Sequence, residues 1–329
     1  MKQLAVFAPN WLGDAVMALP ALADVRRTLP STSIVVIARQ SVARLFSLVP
    51  GIDELVPIPP GKAVGDPIAR LRHRDLDAVI LLTNSFRTAM MAWRAGIPER
   101  WGYRSDWRGP LLTRAIARPP RVHQAEYYQR LVAELGFQNG PQRPRLIVPD
   151  DVRSAASRLL VDAGWDGRTP LVAIAPGAAY GSAKRWPPGS FAELASALIA
   201  KRATVVIVGS GPDRAAAEEV KKGVASPLVD LVDQTDLPML AGVLVNGRAL
   251  VTNDSGAMHV AAALDVPVVA LFGPTNERET RPLGNAAATV LTSQVWCRPC
   301  MLRNCPIDHR CMRRIMVETV LSATSQHLP

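Results

Sequence analysis

Lysine and cysteine are scarce in this sequence, and long apolar runs are missing. Only six lysines occur, Lys2, Lys62, Lys184, Lys201, Lys221 and Lys222, so arginine supplies the other 32 of 38 basic residues. Part of that bias is what GC-rich codon usage produces, since alanine is abundant as well. Four cysteines, Cys297, Cys300, Cys305 and Cys311, lie within fifteen residues near the C-terminus. That spacing excludes a chain-wide disulfide framework of the secreted kind and fits a cytoplasmic protein. No run of 18 apolar residues is present, so any membrane contact is expected to be peripheral. No Gly-x-Gly-x-x-Gly follows the first strand-like stretch, which argues against an ordinary nicotinamide or flavin half.

What the chain does have is length, apolar material and positive charge. Its 329 residues are about two domains' worth, and 48% hydrophobic residues suffice for two cores. The balance of 38 basic against 28 acidic residues gives a net charge of +10, which draws polyanions: nucleic acid, an anionic membrane face or phosphorylated small molecules. Lys2, the apolar residues after it and Ala21-Leu22-Ala23 imitate a signal peptide, but Asn10, Gly13 and Asp14 interrupt the apolar stretch, and strand, turn and helix describe it better.

The continuous apolar run at 4–8 predicts a strand buried on both faces and 78–82 another buried strand, with a strand at 33–38, a short one at 54–58, and helices at 14–29 and after Asn84-Ser85. Residues 97–121 read as an irregular inserted loop, followed by a helix at 124–135. Gly140-Pro141-Gln142-Arg143-Pro144-Arg145 is the best linker signal, and a helix near 152–162 connects onward. The alternation restarts with strands at 171–175, 204–208, 249–252 and 268–271. The expectation is an α/β protein of two doubly wound, Rossmann-like domains facing across a cleft, 1–166 and 167–315, with 316–329 as a tail.

Five constellations carry chemistry. Pro9-Asn10-Trp11-Leu12-Gly13-Asp14 ends the first strand, so Asp14 is either a helix N-cap or a carboxylate placed to take a proton. Residues 176–187 follow a strand with small residues and Lys184, the parts of a phosphate cradle, without the Gly-x4-Gly-Lys-Ser/Thr of a P-loop. Thr252-Asn253-Asp254-Ser255-Gly256-Ala257-Met258-His259 opens a small-residue helix whose first N–H groups suit a diphosphate. Between Arg87 and Arg121 eight arginines stand against Glu99 and Asp106, a net +6, interleaved with Trp93, Trp101, Tyr103 and Trp107. That segment reads as a solvated basic face, a glycolipid or membrane surface, or a single-strand nucleic-acid site. The cysteines, with His309 nearby, are either packing thiols or a structural zinc site. Asp75-Leu76-Asp77 precedes its strand and is taken as a strand entry rather than a metal-binding pair.

These strings in this order resemble the ADP-heptose:lipopolysaccharide heptosyltransferases, and among them the heptosyltransferase II type. The landmarks are Asn10 to Asp14, Asn84-Ser85 with Ala95-Gly96-Ile97-Pro98, Pro176-Gly177-Ala178 with Ala183-Lys184-Arg185-Trp186-Pro187, Asn253-Asp254-Ser255-Gly256 with His259, Phe272-Gly273-Pro274-Thr275, and Cys311-Met312. The resemblance implies a GT-B fold and an inverting transfer, with no metal or cofactor required. It implies a donor, ADP-L-glycero-D-manno-heptose, and a lipid A-Kdo-heptose acceptor at the cytoplasmic face of the inner membrane. Peripheral membrane contact is expected and nucleic acid is not. Asp14 would be the base; Lys184, Asp230, Asp254, Ser255, Gly256, His259, Gly273 and Thr275 would hold the donor; Asn10, Gly13, Asn84, Ser85, Arg87 and Arg104 would hold the acceptor. Asp233 departs from the pattern, because relatives usually have glycine there. A GT-B epimerase, a relative using another ADP-sugar or acceptor, and a basic nucleic-acid-binding protein are the alternatives.

Overall fold

Leu4, Ala5, Val6 and Phe7 are all buried, and so are Ile34 to Ala38 and Ala78 to Leu81. Such runs suit strands covered on both faces, and that is how the chain uses them in a computed structural model describing residues 1–59 and 65–329. Contacts divide the chain into two compact units, Met1–Arg145 and Leu146–Pro329.

The first unit has a six-stranded sheet: β1 (Gln3–Phe7), β2 (Ser33–Arg39), β3 (Glu54–Ile58), β4 (Ala78–Leu81), β5 (Glu99–Tyr103) and β6 (Arg114–Ile116). Its order is β3-β2-β1-β4-β5-β6, with parallel pairing throughout. The second unit repeats the plan with β7 (Leu171–Ala175), β8 (Thr204–Ile207), β9 (Val229–Asp230), β10 (Ala249–Asn253), β11 (Val268–Phe272) and β12 (Ala288–Thr292). Its order, β12-β11-β10-β7-β8-β9, is the same winding. In each unit the strand order reverses beside the first strand, between β1 and β4 and between β7 and β10. Loops leaving the carboxyl ends of those strands diverge there, which is where open α/β sheets bind ligands.

Several expectations need correction. Residues 97–121 are not an inserted loop, because they form β5 and β6. Trp101 and Tyr103 point into the core, and Arg108 is wholly buried, its Nε donating to the Tyr103 carbonyl at 2.9 Å and another nitrogen to the Thr83 carbonyl. Gly102 makes room for it, since a Cβ there would stand 3.1 Å from the guanidinium. Burial lowers the Arg108 pKa to about 10. Arg100 is also absorbed, donating to the carbonyls of Ile97, Pro98 and Leu111.

The division falls at Arg145/Leu146 rather than 166/167. The helix Asp150–Asp162 packs on the helix Leu237–Asn246 of the second unit, where Gly242 lets Ala156 approach. Residues 316–329 are not a tail, since the helix Val317–Ser325 places Val320 and Ala323 in the core and packs on the helix Pro188–Ala200, β10 and β11. The long helix predicted at 14–29 is two, Leu12–Met17 and Leu19–Thr28, the second starting with Pro20 in its first turn. Asp77 behaves as a strand entry, its carboxylate accepting the Gln3 amide at 3.0 Å and the Lys2 amide. Those amides hold the carboxyl below its usual pKa.

Candidate active site

The carboxyl ends of β7 and β10 are joined by one side chain. Asn253, the last residue of β10, donates its amide to the carbonyls of Pro176 at 2.8 Å and Gly177 at 3.2 Å, and its Oδ1 accepts the Trp186 amide at 2.9 Å. Asn253 is fully buried, so each of these groups would otherwise lie without a partner in the core. The effect is to fix both ends of the loop 176–186, and with them Lys184. Trp186 completes the anchor, with its ring edge-on to Phe191 and its indole N–H on the Ile315 carbonyl.

Lys184 Nζ lies 2.5 Å from Asp254 Oδ2, and the Thr275 hydroxyl donates to that same oxygen at 2.7 Å. The two charged side chains are 12% and 6% exposed, so solvent screens the pair little. Lys184, Asp254 and Thr275 come from loops after three adjacent strands, β7, β10 and β11. Gly273 is required in the third of these, because a Cβ there would strike Met312. Ser255 precedes the helix Gly256–Ala263 without capping it; its hydroxyl pairs with Thr252 at 2.9 Å instead. The first N–H groups of that helix therefore remain available to an anion beside the Lys184–Asp254 pair. His259 lies one turn into the helix and is buried. Arg185 has a buried Nε without an acceptor among the described residues.

Asp230 is not brought to this group. It ends the edge strand β9 and is held by Lys221 at 2.8 Å, Arg214 at 3.3 Å and the Val232 amide at 3.0 Å. Burial pushes its pKa up, but these donors outweigh burial and leave it below the usual value. Asp233 has φ 63°, a left-handed conformation that glycine enters freely and aspartate tolerates, which accounts for glycine at this place in the resembling family. Its carboxylate lies against Gly211 in the loop after β8.

The first unit has a second set at its own strand reversal. Asp14 sits in the first turn of the helix Leu12–Met17, after Asn10 and Gly13, so it is not the N-cap, which is Trp11. The buried Tyr128 hydroxyl approaches Asp14 Oδ1 at 3.4 Å, and burial, then Asp14, raises the Tyr128 pKa. From the end of β4, Asn84 and the Tyr127 hydroxyl are mutually hydrogen-bonded at 2.9 and 3.1 Å. Ser85 caps the helix Phe86–Arg94 by accepting the Arg87 amide at 3.1 Å. Ser105, after β5, donates to the Asn84 carbonyl at 3.1 Å. Arg87, in the first turn of the helix Phe86–Arg94, and Arg104, in the loop after β5, are exposed.

Asn253, Tyr127 and Tyr128 were not singled out from sequence. Asn253 lay inside a recognised string, but the tyrosines carry no local signal, because their partners are over 40 residues away. Among the described residues no group of three His, Cys, Asp or Glu side chains is gathered as metal ligands. Cys311 is buried, and burial followed by the other three thiols raises its pKa.

The sequence pattern of glycosyltransferase family 9 (heptosyltransferase) matches residues 67–310. The chain is 33% identical over 307 residues to lipopolysaccharide heptosyltransferase 2 of Salmonella typhimurium, covering 88% of this chain and 87% of that one. The Escherichia coli protein of the same name is 32% identical over the same span, with the same coverage. The solved structure of E. coli ADP-heptose lipopolysaccharide heptosyltransferase II superposes with a TM-score of 0.85 at 30% identity, over 99% of this chain and 98% of that one.

Proposed function

The chain belongs to glycosyltransferase family 9, the heptosyltransferases, and has their GT-B fold; from that premise we propose that it moves heptose from ADP-L-glycero-D-manno-heptose to the heptose- and Kdo-bearing inner core of lipopolysaccharide, with inversion at the anomeric carbon. The observation that carries this reading is the Lys184–Asp254–Thr275 network beside the uncapped helix Gly256–Ala263.

Breaking the bond from the anomeric carbon to the diphosphate leaves negative charge on ADP. A fixed ammonium and fixed N–H donors stabilise that charge without having to reorganise. Lys184 and the amides of Gly256 and Ala257 are placed for the phosphates. Asp254, Ser255, His259, Gly273 and Thr275 line the same end and are assigned to phosphate and heptose. Asp230, at the far edge of the sheet, is left for the ribose at most. No metal is assigned a role, and the donors described supply the charge stabilisation a divalent ion would give.

In the first unit Asp14 is the assigned base. Its carboxylate takes the proton of the acceptor hydroxyl as that oxygen bonds to the anomeric carbon, and ADP departs with the electron pair. Asn10, Gly13, Asn84, Ser85, Arg87 and Arg104 surround that edge and are assigned to the saccharide acceptor. The acceptor is a lipid, so the protein works at the cytoplasmic face of the inner membrane. Exposed Trp11 and Trp107 on the loops after β1 and β5, Phe86 and Arg87 at the start of the helix after β4, and Arg104 suit the interface of an anionic bilayer. Nucleic acid is a poorer fit, since Arg100 and Arg108 are spent on backbone carbonyls and Trp101 and Tyr103 on the core.

The test is transfer from ADP-heptose to a heptose-bearing inner-core acceptor by wild type and Asp14→Asn, with ADP binding measured alongside. Near-complete loss of turnover with ADP binding retained is the expected result. Full activity of the variant, or failure of the wild type to bind ADP, would sink this reading.

A further inference from the structure

The cysteine-containing segment between β12 and the helix Arg310–Arg313 has no regular structure, yet it grips two loops of the donor end. Against the lysine loop, Tyr180 donates its hydroxyl to the Met301 carbonyl at 2.7 Å, and Ser182 donates to Asn304 Oδ1 at 3.0 Å. The Ala183 amide donates to the Arg303 carbonyl at 2.9 Å. Gly181 is needed between them because a Cβ would collide with the Arg303 backbone. Four consecutive residues, 180–183, thus meet residues 301–304.

The same segment holds the loop after β11. The Met301 amide donates to the Pro274 carbonyl at 2.9 Å. Arg298 donates to the Gly273 carbonyl at 2.6 Å and the Thr275 carbonyl at 3.3 Å, and pairs with Glu277 at 2.6 Å. The two loops joined in this way carry Lys184 and Thr275, the groups that share Asp254 Oδ2.

Arg303 stands out in this segment. Its guanidinium carbon lies 5.3 Å from the centroid of the Tyr180 ring, and Lys184 Nζ lies 4.8 Å from the same centroid. Two cations therefore flank one ring. Lys184 is paired with Asp254, whereas no carboxylate pairs with Arg303 among the described residues. We propose that Arg303 is a second diphosphate-binding cation of the donor site, and that residues 298–304 are the strap that keeps it in register with Lys184. This rests on the reading of the donor as a nucleoside diphosphate sugar.

The division of labour follows from the charges. Asp254 offsets part of the Lys184 charge, so a diphosphate meeting Lys184 alone faces a nearly neutral pair. A guanidinium adds an uncompensated charge and a planar fork that matches two phosphate oxygens. Its hydrogen bond to the lysine loop is made by its backbone carbonyl, and only the stacking on Tyr180 uses its side chain, so shortening the side chain leaves the strap attached.

Calorimetric titration of the full-length wild type, Arg303→Ala and Arg303→Lys with inorganic pyrophosphate, ADP and adenosine tests the proposal. A charge-assisted hydrogen-bond pair predicts that Arg303→Ala weakens pyrophosphate and ADP about tenfold to a hundredfold. Arg303→Lys should recover part of that loss, while adenosine affinity and the thermal midpoint stay as in the wild type. Unchanged pyrophosphate affinity in Arg303→Ala overturns the proposal. So does a lowered midpoint, or an equal loss for adenosine, since either marks a structural role. Arg303-dependent binding of pyrophosphate by a wild type that ignores ADP would instead overturn the nucleotide reading and leave the two-cation site standing.

Discussion

The two units wind their sheets in the same order and carry polar groups at the same place, yet they hold those groups differently. In the second unit Asn253 bonds three backbone groups from a fully buried position, and Lys184, Asp254 and Thr275 share one oxygen. In the first, Asn84 is half-buried and bonds one tyrosine hydroxyl, and Asp14 meets Tyr128 at a long 3.4 Å. A site that stabilises charge on a departing group gains from rigid donors, because nothing then has to reorganise as the bond breaks. A site that accepts one hydroxyl of a large saccharide needs a reachable carboxylate and room around it. On the roles proposed above, a locked end and a looser one are what those two tasks would call for.

The largest effect should come from the looser end. Asp14→Asn is expected to lower turnover about 10²- to 10⁴-fold, the range of a lost general base, with ADP affinity within twofold of wild type. Activity within a few-fold of wild type would remove this edge from the chemistry. At the locked end, Asp254→Ala leaves Lys184 a nearly buried, unpaired cation and should cost about 3 to 5 kcal/mol in denaturant unfolding. A loss below about 1 kcal/mol would mean that the end is not locked at all.

A matched pair of asparagines sharpens the comparison further. Asn253→Ala should cost about 3 kcal/mol, because it strands buried carbonyls and an amide, whereas Asn84→Ala should cost about 1 kcal/mol or less. Equal losses would erase the distinction. The smallest stability effect belongs to Trp107→Ser, expected within about 0.5 kcal/mol of wild type because the side chain is 94% exposed. Its consequence should appear instead as weaker sedimentation with vesicles containing anionic lipid, and unchanged sedimentation would remove Trp107 from the membrane assignment.

The sheet was readable wherever strands are buried on both faces, since β1, β2, β4, β7, β8, β10 and β11 are plain apolar runs. The edge strand β3 was also legible, at 54–58, but β5, β6, β9 and β12 were not. β5 reads Glu-Arg-Trp-Gly-Tyr, and its inward residues Trp101 and Tyr103 pack beside a buried arginine that no hydropathy pattern would place inside. β12 and β9 are half-exposed or only two residues long. The excess of arginine between Arg87 and Arg121 looked like one charged surface, but Arg100 and Arg108 satisfy carbonyls that the turns leave open. At the candidate site, Lys184, Asp254 and Thr275 were legible because they follow strands in short polar turns. Asn253 as a tie, the tyrosines behind Asn84 and Asp14, and Arg303 depend on contacts between distant parts of the chain, which local spacing does not encode.

The identical winding of the two sheets also governs how the protein can be made. The central strand β1 has β2 on one side and β4 on the other, so its second neighbour emerges only when synthesis reaches Ala78–Leu81. In the second unit β7 waits in the same way for β10 at Ala249–Asn253. Each unit is an uninterrupted stretch of chain, and the first is complete at Arg145, before β7 begins. A ribosome can therefore release a finished first sheet while the second is still unwritten, and each sheet passes through an interval in which its middle strand lacks a neighbour.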